Sequence, residues 1–496
     1  MTASAKDAHV LGLDVGTSGV KAALVSMSGD VIASATSALS LSTPRPGWAE
    51  QDPDAWWQAS IASILAVREQ CPNARVTAVG ISGQMHSSVF LDREGRVIRP
   101  ALLWCDGRTT AECREIEERV GGEGKLRDLV ANPALEGFTL PKVLWLRNHE
   151  PQAFARLATV LLAKDYIRYR LTGELATEPS DASATLMYDT ARLRWSTEIL
   201  EALDLPETIV PRVGGSSEVL GCVNAEGGTA TGLPVGTPVV GGGADNACGA
   251  AGVGAVAPGE AVASWGTSGT LLAPLAEPRV DPALRAHTFC HVAPNVWYLM
   301  GVVLSAGGAF AWYRDQFARE LAGDPEINRK LNEEAAAIPR GADGVTFLPY
   351  LQGERTPHRN ANARAAILGL SLAHSRAHVT RAVLEGVCFA LRDSLSILQS
   401  LGLRPNELLL TGGGARSAFV RTLQAEVFGI PVATVNREEG PAFGAALLAA
   451  VGIGAFPDIG AAARATIMRR PAEAGSSAAH RAYDAPYARF RESYRA

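Results

Sequence analysis

The sequence predicts an α/β protein built from two similar domains that flank a cleft, and three observations predict it. Short apolar strands alternate with helix-length amphipathic segments along most of the chain. A strand–Gly-Thr-Ser-Gly–strand unit occurs twice, starting at Gly16 and again at Gly266. Segments rich in small residues, from Ala225 to Gly243 and from Gly249 to Pro258, lie between the two occurrences and read as a flexible boundary. A four-residue match arises readily by chance, but the same turn between apolar runs in each half points to repeated topology. The expected division is residues 1–248 and 249–496.

The first unit runs from Val10 to Val25, with Gly16-Thr17-Ser18-Gly19 as the tight turn. Another strand is expected from Val31, after the Ser28-Gly29-Asp30 turn. Asp52-Pro53 is a good helix start, with Asp as cap and Pro in the first turn, and Trp57, Ile61, Ile64 and Leu65 follow at helical spacing. Val76 to Ser82 reads as a strand entering Gly83-Gln84-Met85-His86. A long helix is expected from Ser375 to Leu401, with Val379, Val383, Val387, Leu391 and Leu395 on one face and Gly402 as its stop. Leu408 to Thr411 is a strand leading into Gly412-Gly413-Gly414, and Ala418 to Phe428 is helical.

The chain has 496 residues, 47% hydrophobic and 20% charged, which excludes a disordered or fibrous protein. With 46 basic and 51 acidic side chains the net charge is −5, which argues against nonspecific binding to nucleic acid or an anionic membrane. Fifty glycines beside nine tyrosines suggest many tight backbone turns of the kind ligand-cradling loops need. The seven cysteines are scattered without a Cys-x-x-Cys pair, no apolar run is long enough to span a membrane, and the N-terminus has no signal core. The expected setting is cytoplasmic.

Several groups suit chemistry. Asp14 stands at a strand end before small residues whose N–H groups can meet phosphate, with Thr17, Ser18 and Lys21 adding donors. Repelled by phosphate, Asp14 suits a Mg²⁺ ion; an ordinary hairpin with Asp14 as turn acceptor is the other reading of this segment alone. Gly412-x-Gly414 and Gly241-x-Gly243 both fail the dinucleotide-binding fingerprint, and no P-loop is present. Asp245-Asn246 closes a glycine-rich strand and reads equally as a general base beside a hydroxyl-binding amide or as a helix N-cap. Gln84-Met85-His86 suits a polyol, with His86 bonding and Met85 packing. His287 and His291 read as packing residues, and His374 and His378 as solvent-facing ones.

Taken together, these motifs resemble the FGGY carbohydrate kinases of the actin/hexokinase-like ATPases, and within them the bacterial xylulokinases. Gly137 to His149 matches the first family signature, and Gly369-Leu370-Ser371-Leu372 with Val379 to Phe389 resembles the second. PGWAEQDP from Pro46, ISGQMHS from Ile81, LLWCDGR from Leu102, GGGADNACGA from Gly241, SWGTSGT from Ser264 and LPYLQGERTPH from Leu348 are similar too. The resemblance implies two ribonuclease-H-like domains and transfer of the ATP γ-phosphoryl group to the 5-hydroxyl of D-xylulose. It implies Asp245 as catalytic base and Met85, His86, Asp245 and Asn246 as sugar contacts. It further implies Asp14 as the Mg²⁺-organising carboxylate, with Gly16, Thr17, Ser18, Gly266 and Thr267 around the phosphates. Gly307, Gly413, Gly414 and Ser417 match the adenosine pocket. Ser87 departs from the common GQMHG and leaves sugar preference open, with ribulose or glycerol as alternatives. An actin- or Hsp70-like ATPase without a sugar is the rival from another class. Monomer and homodimer are both open, and no function attaches to the Ala/Arg-rich tail after Phe456.

Overall fold

The structure, a computed structural model, describes residues 8–437 and 439–494. The first half opens with a meander of β1 (Ala8–Val15), β2 (Gly19–Ser26) and β3 (Val31–Ala38). The turn between β1 and β2 is closed by Gly16 N donating to Gly19 O at 3.0 Å. Helix α1 (Pro53–Gln70) starts where its signals place it, with the Asp52 carboxylate accepting from Asp54 N at 2.9 Å. Of the expected face Trp57 and Ile64 are buried and Ile61 is half-buried, but Leu65 is 45% exposed. At 100° per residue the buried arc centres on Ser60, Ser63 and Val67, and Leu65 falls opposite it. Ser63 sits inside because its hydroxyl donates to Val20 O at 2.8 Å.

β4 (Arg75–Gly83) runs parallel to β1. After it come α2 (Thr139–His149), α3 (Ala163–Thr172), β5 (Val219–Cys222), β6 (Pro238–Val240) and β7 (Gly243–Ala244). The sheet order is β5-β6-β4-β1-β2-β3, with β7 paired to the end of β4. Helix α4 (Asp245–Gly252) leaves this sheet directly.

The second half repeats the plan with β8 (Val262–Trp265), β9 (Gly269–Leu275), β10 (His287–Cys290) and β11 (Trp297–Val303). These are followed by α5 (Gly307–Phe317), α6 (Arg376–Ser400), β12 (Leu408–Gly412), α7 (Ala418–Phe428), β13 (Val432–Ala433) and α8 (Pro441–Gly452). Its order is β10-β11-β9-β8-β12-β13. In each half the first strand lies between an antiparallel hairpin partner and a later parallel strand: β2 and β4 flank β1, and β9 and β12 flank β8. This duplicated α/β arrangement is the ribonuclease-H-like plan. Helix α6 begins with a reciprocal cap in which Ser375 and His378 serve each other's backbone, so His378 is a structural residue and not merely solvent-facing. Its Nε2 also lies 3.2 Å from the Asp343 carboxylate.

The halves meet through α4 and α8. Helix α8 packs on α4 and on β1 and β4 of the opposite half, at a distance that excludes side chains. A Cβ on Gly12 would stand 1.9 Å from Ala442 O, on Gly80 1.9 Å from Ala445 O, and on Gly444 1.9 Å from Cys248 O. The small-residue segments expected to be flexible are therefore ordered: Ala225–Thr231 is a helix, and Gly249 to Gly252 form the last turn of α4. Their size reflects close approach, since a Cβ on Gly252 would meet Gly440 O at 2.5 Å. After Phe456 the chain adds Ile459 to the core shared by the halves and Tyr483, Tyr487 and Phe490 to the second core. Among the described residues no helix is long and apolar enough to cross a membrane.

Gly444→Ala is expected to lower unfolding free energy by roughly 2–4 kcal/mol, because backbone on both sides blocks relaxation. Urea denaturation of the purified protein measures it.

Candidate active site

The α4–α8 contact leaves a cleft of about 850 Å³ between the halves. Asp14, Gly16 and Lys21 of the first hairpin, Asp245 and Asn246 at the start of α4, and Gly413 after β12 all line it. Its floor is apolar, with Ala250, Val253, Val262, Leu272 and Leu410.

Asp14 ends β1 opposite Lys21. Its Oδ1 is buried without a hydrogen-bond partner, as is the neighbouring Ser82 hydroxyl. Burial pushes the Asp14 carboxyl up to about 6. Asp245 is pushed up to about 7, first by burial and then by the charge of Asp14. The cap of α4 is Ala244, so Asp245 is not an N-cap. Its Oδ1 instead accepts from Asn246 N at 2.6 Å and Asn246 Nδ2 at 2.9 Å, which aims the side chain. Two carboxylates confined in a poorly hydrated cleft resist joint ionisation, a state that a cation would relieve. Among the described residues no group of three or more His, Cys, Asp or Glu could enclose a metal. The bare oxygen of Asp14 fits a Mg²⁺ ion that takes its remaining ligands from phosphate and water.

Both Gly-Thr-Ser-Gly turns present open backbone donors. Among the described residues, no protein acceptor meets the N–H groups of Thr17, Ser18, Gly266, Thr267 or Ser268. In the second turn the carbonyls are drawn back to the start of α5: Gly307 N donates to Gly266 O at 2.8 Å, and Ala306 N and Gly308 N donate to Thr267 O at 2.9 Å. Gly307 must be glycine, for a Cβ would stand 2.5 Å from Gly266 O. Gly413 is open, whereas Gly414 packs on the Trp265 ring, where a Cβ would come within 2.6 Å. The Ser417 hydroxyl caps α7 and accepts from Asn332 Nδ2 at 3.1 Å. Gly414 and Ser417 thus shape the loop, and only Gly413 of these three faces the cleft.

The residues expected to contact a sugar lie beside Asp245. Asn246 Nδ2 lies 3.5 Å from Met85 Sδ, and Tyr298 Oη lies 3.9 Å from the same sulfur. Met85 and His86 are buried beyond the cleft wall. His86 sits at φ 65 directly after β4, and its carbonyl accepts from the buried Lys142 Nζ at 2.9 Å, which holds that conformation. Its Nδ1 meets Ala184 O at 2.6 Å, and burial holds its pKa down to about 3. The ring is therefore neutral, with the proton on Nδ1 and a lone pair on Nε2. Ser87 does not intrude on this group. Its hydroxyl points to Gln84 Oε1 at 3.2 Å and accepts from Trp104 N at 3.3 Å.

Sequence reasoning gave no individual role to three residues that join the first Gly-Thr-Ser-Gly turn to the Met85-His86 segment. Thr17 Oγ1 donates to Gln84 Oε1 at 3.0 Å and accepts from Trp104 Nε1 at 2.9 Å, and Gln51 Nε2 donates to Thr17 O at 2.7 Å. Gln51, Gln84 and Trp104 come from three distant segments, and no local spacing signals their meeting. Their only trace is that each lies inside a motif quoted above.

Two family models cover most of the chain, the N-terminal domain of the FGGY family of carbohydrate kinases at residues 9–252 and its C-terminal domain at 261–453. The chain belongs to the FGGY carbohydrate kinases. It is an enzyme with the two-domain actin/hexokinase-like fold of that family, and the family implies ATP as phosphoryl donor. The kinase is 42% identical over 442 residues to a xylulose kinase from Escherichia coli (strain K12), covering 89% of each chain. It superposes on a xyloylose kinase from Brucella ovis with TM-score 0.90 at 39% identity, covering 98% of both chains. A xylulose kinase from Rhodospirillum rubrum gives TM-score 0.90 at 32% identity, again over 98% of both.

Both raised carboxyls favour the protonated form in the folded state. Their contribution to stability is present below the usual carboxylate pKa and is lost as pH rises through about 6 to 7. Thermal melts of the ligand-free kinase are expected to show Asp245→Asn gaining stability over the parent at pH 8 and little at pH 4. Ser87→Gly is expected to shift KM for the sugar by less than ~3-fold, since the hydroxyl it removes serves Gln84 Oε1 and the Met85 backbone carbonyl and not the Met85 or His86 side chain. A coupled ADP-release assay reads it.

Proposed function

We propose that the kinase transfers the γ-phosphoryl group of ATP to the 5-hydroxyl of D-xylulose, with Asp245 as general base. The observation that supports this reading is the presence of Asp14 and Asp245 in one cleft, with Asn246 bonded to Asp245 and 3.5 Å from Met85 Sδ, and with Gly16 and Lys21 of the first turn in the same lining. Xylulose kinases among the relatives, each matched over about nine-tenths of its length, support the choice of sugar.

Phosphoryl transfer passes through a loose transition state, so the protein chiefly aligns the reactants and balances charge. Asp245 accepts the hydroxyl proton as the acceptor oxygen bonds to phosphorus. Held near pKa 7, it is a stronger base than an exposed aspartate, and Asn246 fixes its orientation. His86 Nε2 accepts a hydrogen bond from a sugar hydroxyl, and Met85 packs against carbon. The N–H groups of Thr17, Ser18, Gly266 and Thr267 take phosphoryl oxygens, with Lys21 nearby. Gly413 leaves room for the nucleoside above the apolar floor, beside Gly307, Gly414 and Ser417. Asp14 Oδ1 would hold Mg²⁺, which when bound neutralises charge on the triphosphate. ATP as donor and seven free thiols support a cytoplasmic location, and monomer and homodimer both fit the reading.

Asp245→Asn is expected to keep ATP and sugar affinity within a few-fold and to lower kcat by ~10³ or more. Coupled ADP release with D-xylulose, D-ribulose, glycerol and no sugar tests the whole reading. It fails if a polyol other than D-xylulose gives the highest kcat/KM, or if ADP release is independent of sugar.

A further inference from the structure

The segment Gly353-Glu354-Arg355-Thr356-Pro357-His358 takes no part in the donor cleft, and the sugar contacts above use none of it. Its backbone is fixed to β11. Thr356 N donates to Val302 O at 3.0 Å, Val302 N donates to Thr356 Oγ1 at 3.0 Å, and that hydroxyl donates to Arg285 O at 2.8 Å. Glu354 Oε1 accepts from Leu304 N at 3.0 Å and from Arg355 N at 2.7 Å. The Arg355 side chain therefore leaves the second half from a rigid base.

It reaches into the first half. Arg355 Nη2 lies 3.4 Å from where a Cβ on Gly137 would stand, next to Phe138, whose ring packs on His86 at 4.4 Å between centroids. The Arg355 charge disfavours protonation of His86, Lys142 and His287. Among the described residues the guanidinium has no hydrogen bond and no ion pair, although Arg355 is only partly exposed. Burial makes a cation so placed costly, and the charges of Glu354 and Glu136, neither within ion-pair distance, offset only part of that cost.

A second unused group lies in the same aromatic cluster. His287 is 1% exposed and packs on Phe138 and Phe289. Its Nδ1 is 3.0 Å from Asn132 Oδ1, and Asn132 Nδ2 donates to Thr288 O at 2.7 Å, which fixes the amide. The imidazole proton is thus on Nδ1, and Nε2 keeps a lone pair that meets no protein donor. The cluster so contains a forked donor and the acceptor nitrogens of two neutral imidazoles. A bare carboxylate satisfies only the donor, whereas a ketose, with its carbonyl and several hydroxyls, satisfies all three.

We propose that Arg355 is a sugar-binding residue of the kinase, its guanidinium donating to the carbonyl and adjacent hydroxyl oxygens of a ketose at the end remote from the phosphorylated hydroxyl, while His287 Nε2 accepts from a hydroxyl. This rests on the D-xylulose reading. Because the donor fork comes from the second half and His86 from the first, the sugar site is complete only when both halves contribute, as substrate-induced assembly requires.

The test measures KM and kcat for D-xylulose, and KM for ATP, in the parent, Arg355→Met and Arg355→Lys. KM for D-xylulose is expected to rise ~30-fold in Arg355→Met and ~10-fold in Arg355→Lys, with KM for ATP within ~2-fold, as loss of a hydrogen bond to a charged group predicts. The preference for D-xylulose over xylitol, which lacks the carbonyl, is expected to shrink by a similar factor, a change that a purely structural role would not produce. If Arg355→Met does not fold, Arg355→Lys alone decides. A KM for D-xylulose within ~3-fold of the parent in a folded variant overturns the role of Arg355 while leaving the D-xylulose reading intact. Higher kcat/KM for xylonate than for D-xylulose in the parent assigns the guanidinium to a carboxylate and overturns the ketose proposal. No D-xylulose turnover by the parent overturns the functional reading and this one with it.

Discussion

The architecture depends on one contact too close for any side chain: helix α8 resting on β1, β4 and α4 through Gly12, Gly80 and Gly444. Each of the three would place a Cβ within bonding range of a carbonyl oxygen, so bare backbone is a steric requirement there. The contact lets two duplicated sheets share one floor without a separate linker domain. It also sets the width of the cleft, since α4 carries Asp245 at its first residue and its far end is wedged against α8. A bulkier seam would push α8 off both β1 and α4, the elements that carry Asp14 and Asp245.

Within the cleft, charge is arranged by what water can no longer reach. Two carboxyls are raised toward neutrality, and two turns present N–H groups with no protein acceptor. A bound cation would relieve the first, and an anion would use the second. The hydrogen bonds from Thr17 to Gln84 and Trp104 bind the donor turn to the strand that carries Met85 and His86, so a shift on one side is mechanically felt on the other.

Much of this was legible in the sequence where the physics is local. The paired hairpins, the cap of α1, the start of α6 and the bounds of α7 follow from apolar spacing, turn residues and capping chemistry. Local reading failed where tertiary contact gives a residue its meaning. Ser60 and Ser63 look polar yet face the core, because a hydroxyl can serve a nearby carbonyl. Glycines such as Gly227, Gly241 and Gly252 look flexible yet mark close packing. Gly414 and Ser417 read as ligand contacts, and nothing in their spacing shows the second role each has, Gly414 against the Trp265 ring and Ser417 at a helix end. Ser87 could not be judged at all from spacing, since its role depends on which way one hydroxyl turns. Arg355 lay in view inside a motif, but nothing short of the fold shows that it crosses to the other half.

The placement of α8 bears on how the molecule is made. Strands β1 and β4, both made early in translation, bury their glycine-lined face under a helix that ends at Gly452. Through most of translation that face has no cover, so the N-terminal half cannot finish as an independent folding unit. Early termination anywhere before residue 441 would leave an incomplete core and not a smaller working module.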